Sequence, residues 1–102
     1  MPEILPPDDC SAMPEVRAGI DALDAALVRL LARRFGYMRA AARIKQDREE
    51  VRDEDRKAEV IANARKLAAE LGCPPEVIEE IWEQLVEASI SYELQEWENL
   101  RD

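Results

Sequence analysis

Two cations stand where a helix should present only apolar side chains. In the stretch RRFGYMRAAARIKQDR, residues 33–48, six basic side chains and one acid gather inside a chain of net charge −9. On a helical wheel with Arg34 at zero, Val16 falls at about 0°, Leu27 at about 20°, Ile20 and Met38 at about 40°, Leu23 and Ala41 at about −20° and Leu30 at about −40°. Arg34 thus occupies the centre of an apolar stripe, and Lys45 lies at about 20° on the same wheel. Arg39 and Arg43, at about 140° and 180°, read as a solvated face. A second stripe is interrupted in the same way. Counted from Leu85, the sector holding Trp82, Val86 and Trp97 spans about 60° to 120°, and Ser89 and Glu93 fall at about 40° and 80°.

A buried cation without a partner is costly, and two arrangements answer that cost. Arg34 and Lys45 can pair with acids of other helices, Glu93 foremost, or extend their charged heads to water. Alternatively the charges line a polar pocket with apolar walls, the usual form of a small-ligand site. Arg34 and Lys45 lie about 16 Å apart along a helix axis, each on a long side chain. That spacing suits a small dianion with two separated carboxylates. A nucleic-acid partner fits poorly, because the basic residues are split between faces, lack interleaved aromatics and are followed by an acidic third helix.

The residue types present narrow the chemistry. The chain has no His, which removes an imidazole base and a histidine-based metal site. There is no Gly-rich phosphate loop, no CxxC and no GxSxG, so an enzyme built from this chain is expected to work without a nucleophile, metal or cofactor. Cys10 and Cys73 are isolated thiols, too few for a disulfide framework. The N-terminus MPEILPPDDC lacks the pattern of a secretion signal, and no apolar run approaches the roughly 20 residues that span a bilayer. A cytoplasmic protein without membrane contact is the expectation.

These side chains must be positioned by helices. With 102 residues and 47% hydrophobic content, but only 5% aromatics and three Gly, the chain reads as one all-α domain. Residues 1–10, with Pro2, Pro6 and Pro7, form an irregular arm, and residues 11–102 the domain. A first helix should start near Ser11 to Pro14, with Ser as N-cap and Pro in the first turn, and run to about Gln46. The charged DREEVRDEDR connects it to a second helix over 53–71, which carries Val60, Ile61, Ala64, Leu67, Ala68 and Leu71 on one side. In GCPPE, Gly72 closes that helix and Pro75 opens a third, which runs to about 99. The first helix would extend roughly 50 Å, too far for the rest of the chain to cover. A partner is implied, and the expected architecture is an interlocked homodimer.

These residues carry a resemblance. VRAGIDALDAALVRLLARRFGYMRAAARIK resembles the first helix of the all-α class of chorismate mutases and of the related isochorismate pyruvate lyases, through Arg17, Ile20–Asp21, Leu23–Asp24, Arg34 and Lys45. VRDEDR matches the family segment before the second helix, and EASISYE its third-helix segment with a Ser and, four residues on, Gln or Glu. The resemblance covers about residues 11–98. It implies three helices in an intertwined homodimer that converts chorismate to prephenate, or alternatively isochorismate to salicylate and pyruvate, without cofactor. The resemblance makes Arg17, Arg34 and Lys45 the carboxylate and ether contacts and Arg56 a further carboxylate ligand. Glu93 would face the substrate's ether oxygen, Ser89 a carboxylate and Asp53 the ring hydroxyl. Arg17 would reach the site of the other subunit. One position departs: where the family often has Glu directly after the Arg of the second helix, this chain has Lys57, which bears on the hydroxyl contact and hence on substrate choice.

A unimolecular Claisen rearrangement suits the absence of His and of a nucleophile, since it needs a held chair-like conformer and stabilised charge on the breaking ether. From another class, the chain could be a non-catalytic helical dimer whose internal charges only pair with one another.

Overall fold

The first long helix begins where a carboxylate turns back on its own backbone. Glu15 accepts hydrogen bonds from the N–H groups of Ser11 (2.8 Å) and Ala12 (2.9 Å) and from the Ser11 hydroxyl (3.3 Å). The two backbone bonds, in that order, hold the Glu15 carboxyl below its ordinary pKa. The expected role of Ser11 as side-chain cap thus falls to Glu15, whose carboxylate reaches back to the N–H groups of the two residues before the helix. Pro14 sits in that turn, as predicted.

The computed structural model describes residues 4–101. Its elements are α1 (Met13–Ile44), α2 (Glu54–Glu70) and α3 (Pro75–Leu100), with single 3-10 turns at Pro7–Asp9 and Arg48–Glu50. The described residues contain no strand, and the all-helical reading holds. No helix among them is long and apolar enough to cross a membrane.

The ends of α2 follow from local chemistry. Asp53 is its N-cap, and its carboxylate accepts from the N–H of Arg56 at 3.0 Å. At the other end Gly72 adopts φ +72°, a left-handed conformation that costs glycine nothing. Cys73 N–H then reaches Ala68 O at 2.8 Å and Gly72 N–H reaches Ala69 O at 3.3 Å, the paired bonds of a Schellman closure. Pro75 opens α3 at a position whose N–H no helix would use.

The chain divides between Gly36 and Tyr37 into two compact units. In the N-terminal unit, the segment from Ile4 to Cys10 lines a groove of about 410 Å³ together with Val16, Gly19, Ile20 and Leu23 of α1. The α1 stripe beyond it lies open: Ile20, Leu23, Leu27 and Leu30 are all at least half exposed. In the C-terminal unit α2 packs on α3, and the 3-10 turn at Arg48–Glu50 lies against α3. Its core is thin. Ala42, Val51, Ala68 and Val86 are the buried apolar residues, while Leu67, Leu71, Val77 and Ile81 are exposed. Each unit therefore leaves large apolar side chains open to water.

Candidate functional site

Lys45 is the residue on which the C-terminal unit converges. It follows the last residue of α1 and closes the helix with an N–H bond to Ala41 O at 2.9 Å. Its ammonium donates to Glu93 Oε2 at 2.7 Å and to the carbonyl of Val51 at 3.4 Å. The Glu93 side chain is only 5% exposed and that of Lys45 27%. A carboxylate so enclosed needs a cation and hydrogen bonds, and Lys45 supplies both. The ammonium has three protons and spends two on these partners, which leaves one donor for a third acceptor.

Glu93 stands on the buried face of α3 with Val86 and Ser89. Ser89, 3% exposed, donates its hydroxyl to Leu85 O at 2.7 Å, the back-bond to the preceding turn that serine makes inside helices. The interruption of the α3 stripe by Ser89 and Glu93 is thus real burial of polar groups. No described buried side-chain nitrogen or oxygen is left without a partner.

Other residues singled out from the sequence lie nearby or elsewhere. Asp53 has a capping role at α2 and also lines, with Lys45, an open depression of about 580 Å³. Arg52, Glu49, Glu50, Glu54 and Asp55 complete the lining, so that acids outnumber the two cations there. Arg56 is exposed and its guanidinium pairs with Glu59 one turn on. Arg17 and Arg34 belong to the N-terminal unit. Arg17 is exposed on α1, and Arg34 is half-buried, with burial drawing its guanidinium below its ordinary pKa. Arg39, read as merely solvated, donates to the Tyr92 hydroxyl at 2.9 Å.

Lys57 turns toward α3. Its ammonium pairs with Glu83 at 2.6 Å and Glu87 at 2.8 Å. Arg52 grips the same Glu87 with two nitrogens, at 2.8 and 3.0 Å, and Glu54 at 2.9 Å. The Arg52 bonds first, then Lys57, pull the Glu87 carboxyl down to about 2. Bonds to Glu83 and then Glu87 raise the Lys57 pKa. This network ties the start of α2 to α3, and the composition of the third helix, rich in Glu, was its only trace in the sequence.

Two groups escaped the sequence reading. Trp97 Nε1 donates to the carbonyl of Lys45 at 3.0 Å, and Arg101 donates to the same carbonyl and to Ala42 O at 3.0 Å. The signal was present as spacing, since Glu93, Trp97 and Arg101 recur every four residues on one face of α3.

The arrangement can therefore offer an enclosed ammonium with a spare donor, held by a buried carboxylate. Comparison with known proteins bears on the chain as a whole. The model of the family described as chorismate mutase type II matches residues 16–94. The isochorismate pyruvate lyase of Pseudomonas aeruginosa is 27% identical over 95 residues, which cover 93% of this chain and 94% of that protein.

Proposed function

The chain belongs to the chorismate mutase type II family, and on that premise we propose that it is a cytoplasmic enzyme that rearranges chorismate to prephenate. The observation that carries this reading is the Lys45–Glu93 pair at 2.7 Å on a nearly closed face of α3. The breaking ether oxygen of the substrate is an acceptor only. Lys45 meets that need with its remaining proton while Glu93 and the Val51 carbonyl keep the ammonium aimed. Charge that develops on the oxygen in the transition state is then met by a fixed cation in a partly dry site, where such an interaction is strongest. Glu93 takes the position beside that oxygen and fixes the ammonium from the other side. Arg34 and Arg56 serve the two carboxylates, Ser89 approaches one of them, and Asp53 lies toward the ring hydroxyl. No proton transfer, metal or cofactor is required.

The enzyme acts as an intertwined homodimer. Support comes from the open α1 stripe and from the exposed Leu67, Leu71, Val77 and Ile81, which a second copy would cover. Arg17, some 25 Å along α1 from Arg34 by the helical rise, would enter the partner's site. A folded, active monomer in sedimentation at micromolar concentration would remove both the dimer and the Arg17 assignment.

A second reading, isochorismate pyruvate lyase, is favoured by a specific pair of observations. The relative of that name aligns over nearly the full length of both chains, and Lys57, held by Glu83 and Glu87, replaces the acid expected to contact the ring hydroxyl. Purified protein is incubated separately with chorismate and with isochorismate, following prephenate in the first and salicylate with pyruvate in the second. Prephenate formation with slow or absent lyase turnover is expected. Turnover of isochorismate alone would replace the proposal by the second reading, and inertness toward both would leave a helical interaction module.

A further inference from the structure

Lys45 is held at two points, and only one of them is its ammonium. Its backbone carbonyl ends α1, where the last carbonyls of a helix have no partner within the helix. α3 supplies those partners: the Trp97 indole reaches Lys45 O at 3.0 Å, and the Arg101 guanidinium reaches Lys45 O together with Ala42 O. Arg101 also donates to Trp97 O at 3.3 Å and stacks 4.3 Å over the Trp97 ring, so the two groups fix each other. A cation at the negative end of the α1 dipole is favourable in addition. Glu93 and Trp97 on one face of α3, with Arg101 at its C-cap, thus grip the side chain and the carbonyl of Lys45 and the end of α1.

From this geometry we infer that Trp97 and Arg101 are positioning residues for Lys45: they set the register of the α1 terminus on α3 and thereby aim the Lys45 ammonium at Glu93. A carbonyl that frays from α3 lets Cα of Lys45 move. Its four-carbon side chain then samples rotamers in which the ammonium faces water, since a long chain at a helix end loses considerable freedom when held. Neither residue touches a substrate in this scheme. The effect on turnover rests on the function proposed above, whereas the effect on the Lys45–Glu93 pair does not.

The experiment separates the two. Melting temperatures are measured for Lys45→Ala, Glu93→Ala and their double variant in three backgrounds: wild type, Trp97→Phe and Arg101→Ala. Trp97→Phe keeps the ring and removes only the indole donor, so it remains informative if Arg101→Ala folds poorly. In the wild-type background the two losses should be strongly non-additive, as for residues in direct contact. In the other backgrounds they should approach additivity, because the pair is no longer held. Non-additivity that is undiminished in both backgrounds overturns the inference. In parallel, kcat and KM are measured on whichever of chorismate and isochorismate the wild type turns over. Arg101→Ala should lower kcat on the order of tenfold through misplacement of Lys45, with KM little changed. The same substitution made in Lys45→Ala should cost nothing further. An equal loss in both contexts means that Arg101 acts independently of Lys45 and refutes the positioning role. A wild type inert toward both substrates sinks the proposed function, and the melting cycles still decide the inference.

Discussion

Replacing the Lys45–Glu93 pair by an apolar pair, Lys45→Met with Glu93→Leu, asks whether the buried charges are there for the fold or for the reaction. Each single change comes first. Lys45→Met leaves a carboxylate that is 4% exposed without its cation. Breaking a fully buried pair costs about 3–5 kcal/mol, but Lys45 is 27% exposed, so water offsets part of the loss and about 2 kcal/mol is the working figure. For a domain of this size that corresponds to a fall in Tm of roughly 10 °C. Glu93→Leu strands the less buried ammonium, which can turn to water, and should cost less. The double variant leaves no unpaired charge, and apolar replacement of a buried ion pair is commonly neutral or stabilising. Its Tm should return to within a few degrees of wild type or exceed it. Turnover should not return: kcat/KM on the wild-type substrate should fall on the order of 10²-fold or more, because no donor faces the ether oxygen. The assay is thermal unfolding followed by far-UV circular dichroism at fixed protein concentration, beside steady-state kinetics. A double variant that is both stable and within a few-fold of wild-type kcat/KM would refute the catalytic assignment and leave a structural ion pair.

Glu93→Gln should retain substantial activity, since its amide oxygen can accept from Lys45 while its nitrogen donates at every pH. Glu93→Ala, which can neither hold the ammonium nor donate, should lose most activity, and equal losses in the two variants remove the Glu93 hydrogen bonds from the mechanism. Arg34→Ala should lower kcat/KM on the order of 10²-fold, whereas Arg43→Ala, exposed on α1, should be nearly silent; equal effects contradict the placement of the α1 stripe. Glu87, ordinarily near 4.5, is held at about 2 by Arg52 and Lys57. A depressed folded-state pKa contributes stability that is present above the unfolded value and lost as pH falls through the folded one. Wild type should therefore lose Tm more steeply than Glu87→Gln between about pH 4.5 and 2, and parallel curves over that window contradict the network. Gly72→Ala meets no atom within 4 Å of the added Cβ but must adopt φ +72°, so it should cost about 1 kcal/mol through backbone strain alone; an unchanged Tm argues against the Schellman closure.

What is local in this protein could be read from its residues alone. The 3–4 spacing of Val16, Ile20, Leu23, Leu27 and Leu30 is a property of successive turns, and it announced α1 to within two residues of its observed end at Ile44. Gly72 and Pro75 marked the α2–α3 junction because left-handed backbone and a missing N–H are demands that single residues meet. Placing Arg34, Lys45, Ser89 and Glu93 on otherwise apolar faces needed only a helical wheel. Choosing partners for them needed more, because a wheel gives the direction of a side chain and says nothing of which helix lies opposite. The wheel offered Glu93 to either Arg34 or Lys45 and could not choose between them. Tertiary packing decided for Lys45, since the helix end and the α3 face meet at that rung, and it gave Lys57 to Glu83 and Glu87. It also turned Trp97, which reads as one more apolar stripe residue, into a donor to the Lys45 carbonyl, because the orphan carbonyls of a helix end acquire partners only from whatever chain the fold brings beside them.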